Sequence, residues 1–229
     1  MTALLKRLLP VAAVALLGAW PTGARGQCDV TTTTTTLPCA HLPATGQTTC
    51  WDRNGNVIPC AGTGQDGAFR KGAPLSYTDN GNGTITDHDT GLVWEKLSMD
   101  RSVHDVSNTY TWDNAFSVHV AMLNSTNFAG HTDWRLPNVK ELESIVNYQN
   151  VAPLVSPAFN NNCTSGCTVL TCSCTGSDNY WSSTSVAGQA RPGDPPGPTF
   201  AWQVRFGGGD VYGVNKSDNQ FVRGVRGGS

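Results

Sequence analysis

The period of the apolar positions changes along the chain. Leu8 to Leu17 is a nearly continuous apolar run behind Lys6 and Arg7. Residues 27–49 show no period, and Thr31 to Thr36 is an unbroken threonine tract. It reads as an extended linker open to O-glycosylation. From Ser76 the pattern alternates. Tyr77-Thr78-Asp79, Asn80-Gly81-Asn82-Gly83 and Thr84-Ile85-Thr86-Asp87 predict strand, turn and strand, and Leu92-Val93-Trp94 predicts a buried strand. Two helical stripes follow. Thr111 caps the first, with Trp112, Ala115, Phe116, Val120 and Leu123 on one face. Asn138, with Glu141 three positions on, opens the second as a variant capping box, followed by Val139, Leu142, Ile145 and Val146. Residues 150–179 are rich in Asn, Ser and Gly and predict a long loop. The tail returns to strands at Tyr180–Thr184, Phe200–Phe206, Val211–Val214 and Phe221–Arg226. Gly207-Gly208-Gly209 makes a hairpin between two of them, and Gly188 to Pro198 is a surface loop. Helices segregated beside antiparallel strands indicate an α+β domain.

The basic start, the apolar run and the Ala24/Gly26 site before Gln27 form a secretory signal peptide over residues 1–26. The run is too short to span a bilayer, which takes about 20 apolar residues, and no second apolar stretch follows. The mature chain therefore has no membrane span, and a secreted, cell-surface or periplasmic location is expected. The organisation reads as signal peptide 1–26, Thr-rich segment 27–49, disulfide-stapled lead-in 50–75 and a main domain 76–229.

Composition narrows the function. Only 14% of the 229 residues are charged, well below the usual figure of about 25%, which argues against a coiled coil or a charge-driven disordered chain. The formal net charge of −2 gives no footprint for nucleic acid, and cleavage of the leader removes three basic residues and no acid. Export makes disulfides the default for all eight cysteines: Cys28, Cys39, Cys50 and Cys60, then Cys163, Cys167, Cys172 and Cys174. Cys50 and Cys60 flank a turn and suit a small stapled hairpin. The spacing C-x3-C-x4-C-x-C departs from a paired zinc knuckle, and the two cysteines of Cys-x-Cys are expected to take different partners.

Candidate chemistry is sparse. Asp79, Asn82 and Asp87 surround glycines, and such oxygen ligands at a turn fit calcium as a cofactor; an ordinary hairpin turn uses the same residues. The five histidines are scattered, outside any H-E-x-x-H motif, and no G-x-S-x-G elbow is present, so no catalytic residue is assigned and no enzyme is expected. Arg135 and Glu141 are expected to pair within the fold, and Trp94 and Trp181 to be core aromatics with tethered indole N–H groups. The remaining candidate is the tail, where Trp202, Arg205, Tyr212, Lys216 and Asn219 mix aromatic and polar groups suited to recognition. Alternation of a half-solvated strand would produce the same pattern.

Several short stretches carry a family resemblance. They include Leu42-Pro43-Ala44-Thr45-Gly46-Gln47-Thr48, Gly64-Gln65-Asp66-Gly67, Thr90-Gly91-Leu92-Val93-Trp94, Thr132-Asp133-Trp134-Arg135-Leu136-Pro137-Asn138, Tyr180-Trp181-Ser182-Ser183-Thr184 and Val225-Arg226-Gly227-Gly228. In order and spacing, residues 42–228 resemble the Lcl C-terminal domain family, named after the Legionella collagen-like protein. The resemblance implies a C-type-lectin-like fold: two helices beside a twisted antiparallel sheet, with long disulfide-stapled loops presenting a ligand surface. Some members bind sulfated glycosaminoglycans as trimers. This chain departs from them in its acidic balance and its lack of a Gly-X-Y repeat, although Arg205, Lys216, Arg223 and Arg226 make its tail locally basic. The calcium-lectin signatures Glu-Pro-Asn and Gln-Pro-Asp are missing as well. The expected function is a secreted binding or adhesion domain whose partner is a glycan or an extracellular or cell-surface protein, with homo-oligomerisation compatible. A structural subunit of a surface assembly is the alternative. An enzyme of the formylglycine-generating type ranks last.

Overall fold

The computed structural model describes residues 42–188 and 198–228. The leader, the threonine tract, Cys28, Cys39 and most of the Gly188–Pro198 loop lie outside the described residues. Within them the chain forms eleven strands in three sheets. A two-stranded sheet pairs β1 (Cys50–Trp51) with β2 (Val57–Ile58). A four-stranded sheet contains β3 (Tyr77–Asp79), β4 (Thr84–Asp87), β5 (Leu92–Glu95) and β11 (Val225–Gly227) in the order β11-β5-β4-β3. A five-stranded sheet contains β6 (Thr109–Tyr110), β7 (Asn179–Ser185), β8 (Phe200–Arg205), β9 (Asp210–Asn215) and β10 (Gln220–Phe221) in the order β6-β10-β7-β8-β9. The described ladders are antiparallel except for Phe221 beside Tyr180, where β10 and β7 run parallel.

The strands follow the alternation of the sequence, with one difference. Phe221 to Arg226 reads as a single strand but is two, one in each larger sheet. The break falls at Val222, Arg223 and Gly224, all buried. Arg223 needs hydrogen-bond acceptors that a strand interior does not offer. Gly224 lies so close to its neighbours that a Cβ there would sit 2.6 Å from Leu123 Cδ1 and 3.1 Å from Glu95 Oε2. The chain crosses from one sheet to the other through this point.

Both faces of the five-stranded sheet are covered, because successive strand residues point to opposite sides. Tyr180 and Val204 enter a core with Trp94, Leu142, Ile145 and Phe159. Trp181 and Ala201 enter a second core with Ala115, Val120 and Leu136, and Val214 packs against it. The first helical stripe supplies that second core. It is one run with a change of pitch, α-helical at Trp112–Asn114, π-helical at Ala115–Val120 and α-helical again at Ala121–Ser125. Thr111 caps it by accepting from the Asn114 N–H. The sequence pattern predicts a helix here but not the wide turn. That turn holds His119, a polar residue on the buried side.

The second helix is Val139–Ser144, with both halves of the capping box formed. Asn138 Oδ1 accepts from the Lys140 and Glu141 N–H groups, and Glu141 Oε2 accepts from the Asn138 N–H. Its packing against β7 and β8 includes a bond from the Val139 N–H to Thr184 Oγ1 (3.1 Å). The loop region 150–179 is mostly irregular, with one 3-10 turn at Pro157–Phe159 that buries Phe159. Three disulfides are formed among the described cysteines: Cys50–Cys60, which closes β1 and β2, Cys163–Cys174 and Cys167–Cys172. The two cysteines of Cys-x-Cys take different partners, as expected.

Candidate functional site

The terminal hairpin separates the residues grouped by sequence. Trp202 lies opposite Gly213 and shares a face with Val204, whereas Arg205 and Tyr212 point to the other face, where Arg205 pairs with Asp210 in the ladder. Arg205 holds Asp210 through Nε and Nη2, and the Tyr212 hydroxyl donates to Asn179 Oδ1 (2.8 Å). Lys216 Nζ stands 3.9 Å over the Trp112 ring and donates to Ser185 Oγ. Asn219 is exposed in the following turn. Four of the five therefore do not form one patch with free functional groups: Trp202 faces away, and Arg205, Tyr212 and Lys216 bond within the fold.

Asp79, Asn82 and Asp87 are not brought together either. Asp79 sits at the turn end of β3 and Asp87 at the far end of β4, opposite Tyr77. Asp79 Oδ2 accepts from the buried Lys96 ammonium (2.6 Å) and Oδ1 from the Gly81 N–H. Asn82 Oδ1 accepts from Thr84 Oγ1, and Asp87 from the Asp89 N–H and Thr90 Oγ1. Burial opposes the charged form of Asp79, yet the Lys96 and Gly81 bonds hold its pKa below the ordinary value. The Lys96 ammonium is thus the charge partner of the Asp79 carboxylate.

The most concentrated titratable groups lie inside. Glu95, at the end of β5, is fully buried. His104 Nδ1–H donates to its Oε1 (2.6 Å), and His119 Nε2–H (2.8 Å) and the Gly224 N–H (2.7 Å) donate to Oε2. Burial disfavours the carboxylate, but His119 and the hydrogen bonds from both imidazoles outweigh it and place its pKa far below the usual range. Arg223, also fully buried, donates to the main-chain oxygens of Glu95 and Cys174 and to Thr175 Oγ1. Burial lowers its pKa, opposed by Tyr180 and Glu95. Tyr110 lies edge-on to His119 at 5.4 Å. This network ties β5, the π-helical turn, the 98–105 loop and the crossing between the sheets. Sequence reasoning missed it, because its members are far apart in the chain and Glu95 and Arg223 stand where the pattern calls for apolar residues. Its groups are turned inward and most hold partners, although His119 Nδ1 and Arg223 Nε are buried without one; the arrangement suits a structural lock.

The open concave surface lies elsewhere. Arg135 makes a two-pronged bond to Glu141 (2.7 Å each) and also donates to Gly227 O (3.0 Å), as the sequence pairing predicts. On one side of this pair is a groove of about 600 Å³ walled by Phe116, Trp134 and Leu136. On the other is a groove of about 740 Å³ between residues 42–45, the Asp89–Thr90 turn and the Val139–Ser144 helix, with Lys140, Glu143 and Tyr148 on its rim. Asn138, Glu141 and Gly228 line both, so the two adjoin. The wall at 42–49 is held by the Ala44 N–H on Ala73 O and the Ala73 N–H on Leu42 O, by the Tyr148 N–H on Thr45 O, and by Gln149 Oε1, which accepts from the Thr48 and Thr49 N–H groups. Trp134 and Trp181 have tethered indoles, donating to Phe128 O and Tyr110 O. The Trp94 indole N–H differs from expectation: it is buried with no acceptor.

These features define a mixed α+β domain, stapled by disulfides, with a sealed polar core and a grooved surface. The chain belongs to the Lcl C-terminal domain family, whose model matches residues 83–226, more than half of the 229. The matched part contains the five-stranded sheet, β4, β5 and most of β11 of the four-stranded sheet, the helices beside them and the Arg135–Glu141 pair, while β3 precedes it. The Leu42–Thr48 stretch precedes it. Among curated proteins no sequence matches the chain. No described helix is long and apolar enough to cross a membrane.

Proposed function

We propose that this is an exported, non-enzymatic binding or adhesion domain that recognises a carbohydrate or an extracellular protein. The adjoining grooves on either side of the Arg135–Glu141 pair carry the proposal. They combine apolar walls with a rim of Lys140, Glu143 and Tyr148, the mixture that ligand sites use. Family membership supports the adhesion class, and three disulfides support an oxidising compartment. A C-type-lectin-like arrangement, with loops presenting the ligand surface, is part of the same proposal. The inward-facing Glu95 network supports a role without chemistry. The terminal hairpin is retained as a secondary contact surface.

A glycan and matrix-protein array probed with the mature chain tests this. Lys140→Glu reverses a rim charge on a side chain that is 83% exposed and is expected to weaken the strongest signals while leaving the melting temperature within about 2 °C. Trp202→Ala and Tyr212→Ala are expected to change binding less. Signals that depend on Trp202 or Tyr212 and ignore Lys140 would move the contact surface to the hairpin. A second reading, a structural subunit of a surface assembly, is favoured by Val118 and Met122. They are exposed one turn apart on the outer side of the first helical run. Concentration-dependent sedimentation that is abolished by Met122→Asp would support it.

A further inference from the structure

The second cysteine group holds two disulfides side by side. Cys167 Sγ lies 4.0 Å from Cys174 Sγ, although each belongs to a different bridge. The sulfurs of Cys167, Cys172 and Cys174 all fall within 4.8 Å of one another. The two ends of the group differ in access. Cys163 lies in a run of exposed residues, 162–166, whereas Cys172 is fully buried. We propose that this pair of disulfides is a thiol-exchange site that captures an external thiol on Cys163 and passes the released thiolate inward.

The steps balance without an added oxidant or reductant. An external thiolate attacks Cys163 Sγ, a new S–S bond forms to Cys163, and the Cys163–Cys174 bond breaks with Cys174 leaving as thiolate. That thiolate stands next to Cys167 and attacks its sulfur. The Cys167–Cys174 bond forms, and Cys172 leaves. Cys172 then takes the proton lost by the incoming thiol and donates it toward Thr168 O, 3.3 Å from its sulfur. One thiol enters and one buried thiol appears, and the number of disulfides stays at two: the Cys163–Cys174 and Cys167–Cys172 bridges are replaced by the mixed bond on Cys163 and by Cys167–Cys174. The second bridge thus removes the Cys174 thiolate that would otherwise expel the captured group. A single surface disulfide, such as Cys50–Cys60, has no such acceptor among the described sulfurs. The site is separate from the grooves, and its substrate class is an accessible thiol, either a small molecule or a protein cysteine.

Reduced glutathione is the probe. The unreduced full chain is incubated with it, quenched in acid and mapped by peptide mass spectrometry. The expected product has one glutathione on Cys163, a Cys167–Cys174 link and a free thiol at Cys172. No glutathione on Cys163, or glutathione there with Cys167–Cys172 intact, would overturn the proposal. In a Cys167→Ser/Cys172→Ser variant the adduct is expected to fall roughly tenfold once free glutathione is removed, because Cys174 can then reverse the reaction. Equal retention in a folded variant would also overturn it. If the variant does not fold, the map of the native chain still decides.

Discussion

Glu95 joins three distant parts of the chain at one buried carboxylate. A buried carboxylate is tolerable only while its oxygens are filled, and three donors from three parts of the chain fill them. Replacing it with Gln puts an amide N–H where donors already point. Glu95→Gln is expected to lower stability by about 3 kcal/mol in denaturant titration. The pH dependence follows from the sign of the shift. The native pKa is depressed, so the stabilisation is complete above the ordinary carboxylate value of about 4.3 and is lost as pH falls toward the native value. Melting temperature should therefore drop steeply below about pH 4 in the native protein, and less steeply in Glu95→Gln. Equal slopes would remove Glu95 as the acid-sensitive group. Gly224→Ala tests the same junction by crowding. Its Cβ would meet Leu123 and Glu95, and a loss of about 1–3 kcal/mol is expected. At the β3–β4 turn, Lys96 already neutralises Asp79. Millimolar calcium should leave the melt unchanged, and a concentration-dependent rise would show that the turn rearranges to bind it.

At the level of elements, the sequence was most legible where one local rule decides. Asn-Gly turns mark the β3–β4 hairpin, Asn138 and Glu141 mark a helix start, and Cys50 and Cys60 mark a stapled turn. Each of these needs only neighbouring residues. The split of the last strand, the π-helical turn and the burial of His119 depend on Glu95, Arg223 and Leu123, which arrive from distant positions. No periodicity carries that information. The hairpin residues proposed from sequence illustrate the same limit. Alternation correctly marks a strand, but the register places Trp202 and Tyr212 on opposite faces and supplies partners to Arg205 and Lys216. The grooves were legible only as scattered motifs, because their walls come from residues 42–45, 89–90 and 138–148. The β1–β2 sheet has two residues per strand and cannot hold itself without its bridge. Cys50→Ser/Cys60→Ser is expected to expose residues 50–75 to limited proteolysis while near-ultraviolet circular dichroism of the two cores is retained. Loss of the whole dichroism signal would show that the lead-in is needed for the main fold.

For the whole molecule, low charge and abundant glycine and cysteine have a common cause. Much of the surface is loop and turn, ordered by disulfides and side-chain amides instead of by charged helices. With Glu95 and Arg223 buried inside, the 42–45 wall, the Asp89–Thr90 turn and the Val139–Ser144 helix shape the larger groove. On the proposed reading, recognition at this surface is expected to leave the backbone largely unchanged. The most direct measurement is hydrogen–deuterium exchange on the mature chain with and without the strongest ligand from the array. Binding at the grooves predicts slowed exchange at residues 42–49 and 138–148, with Lys140→Glu abolishing the protection. Protection confined to β8 and β9, or binding with no change at the groove walls, would contradict it.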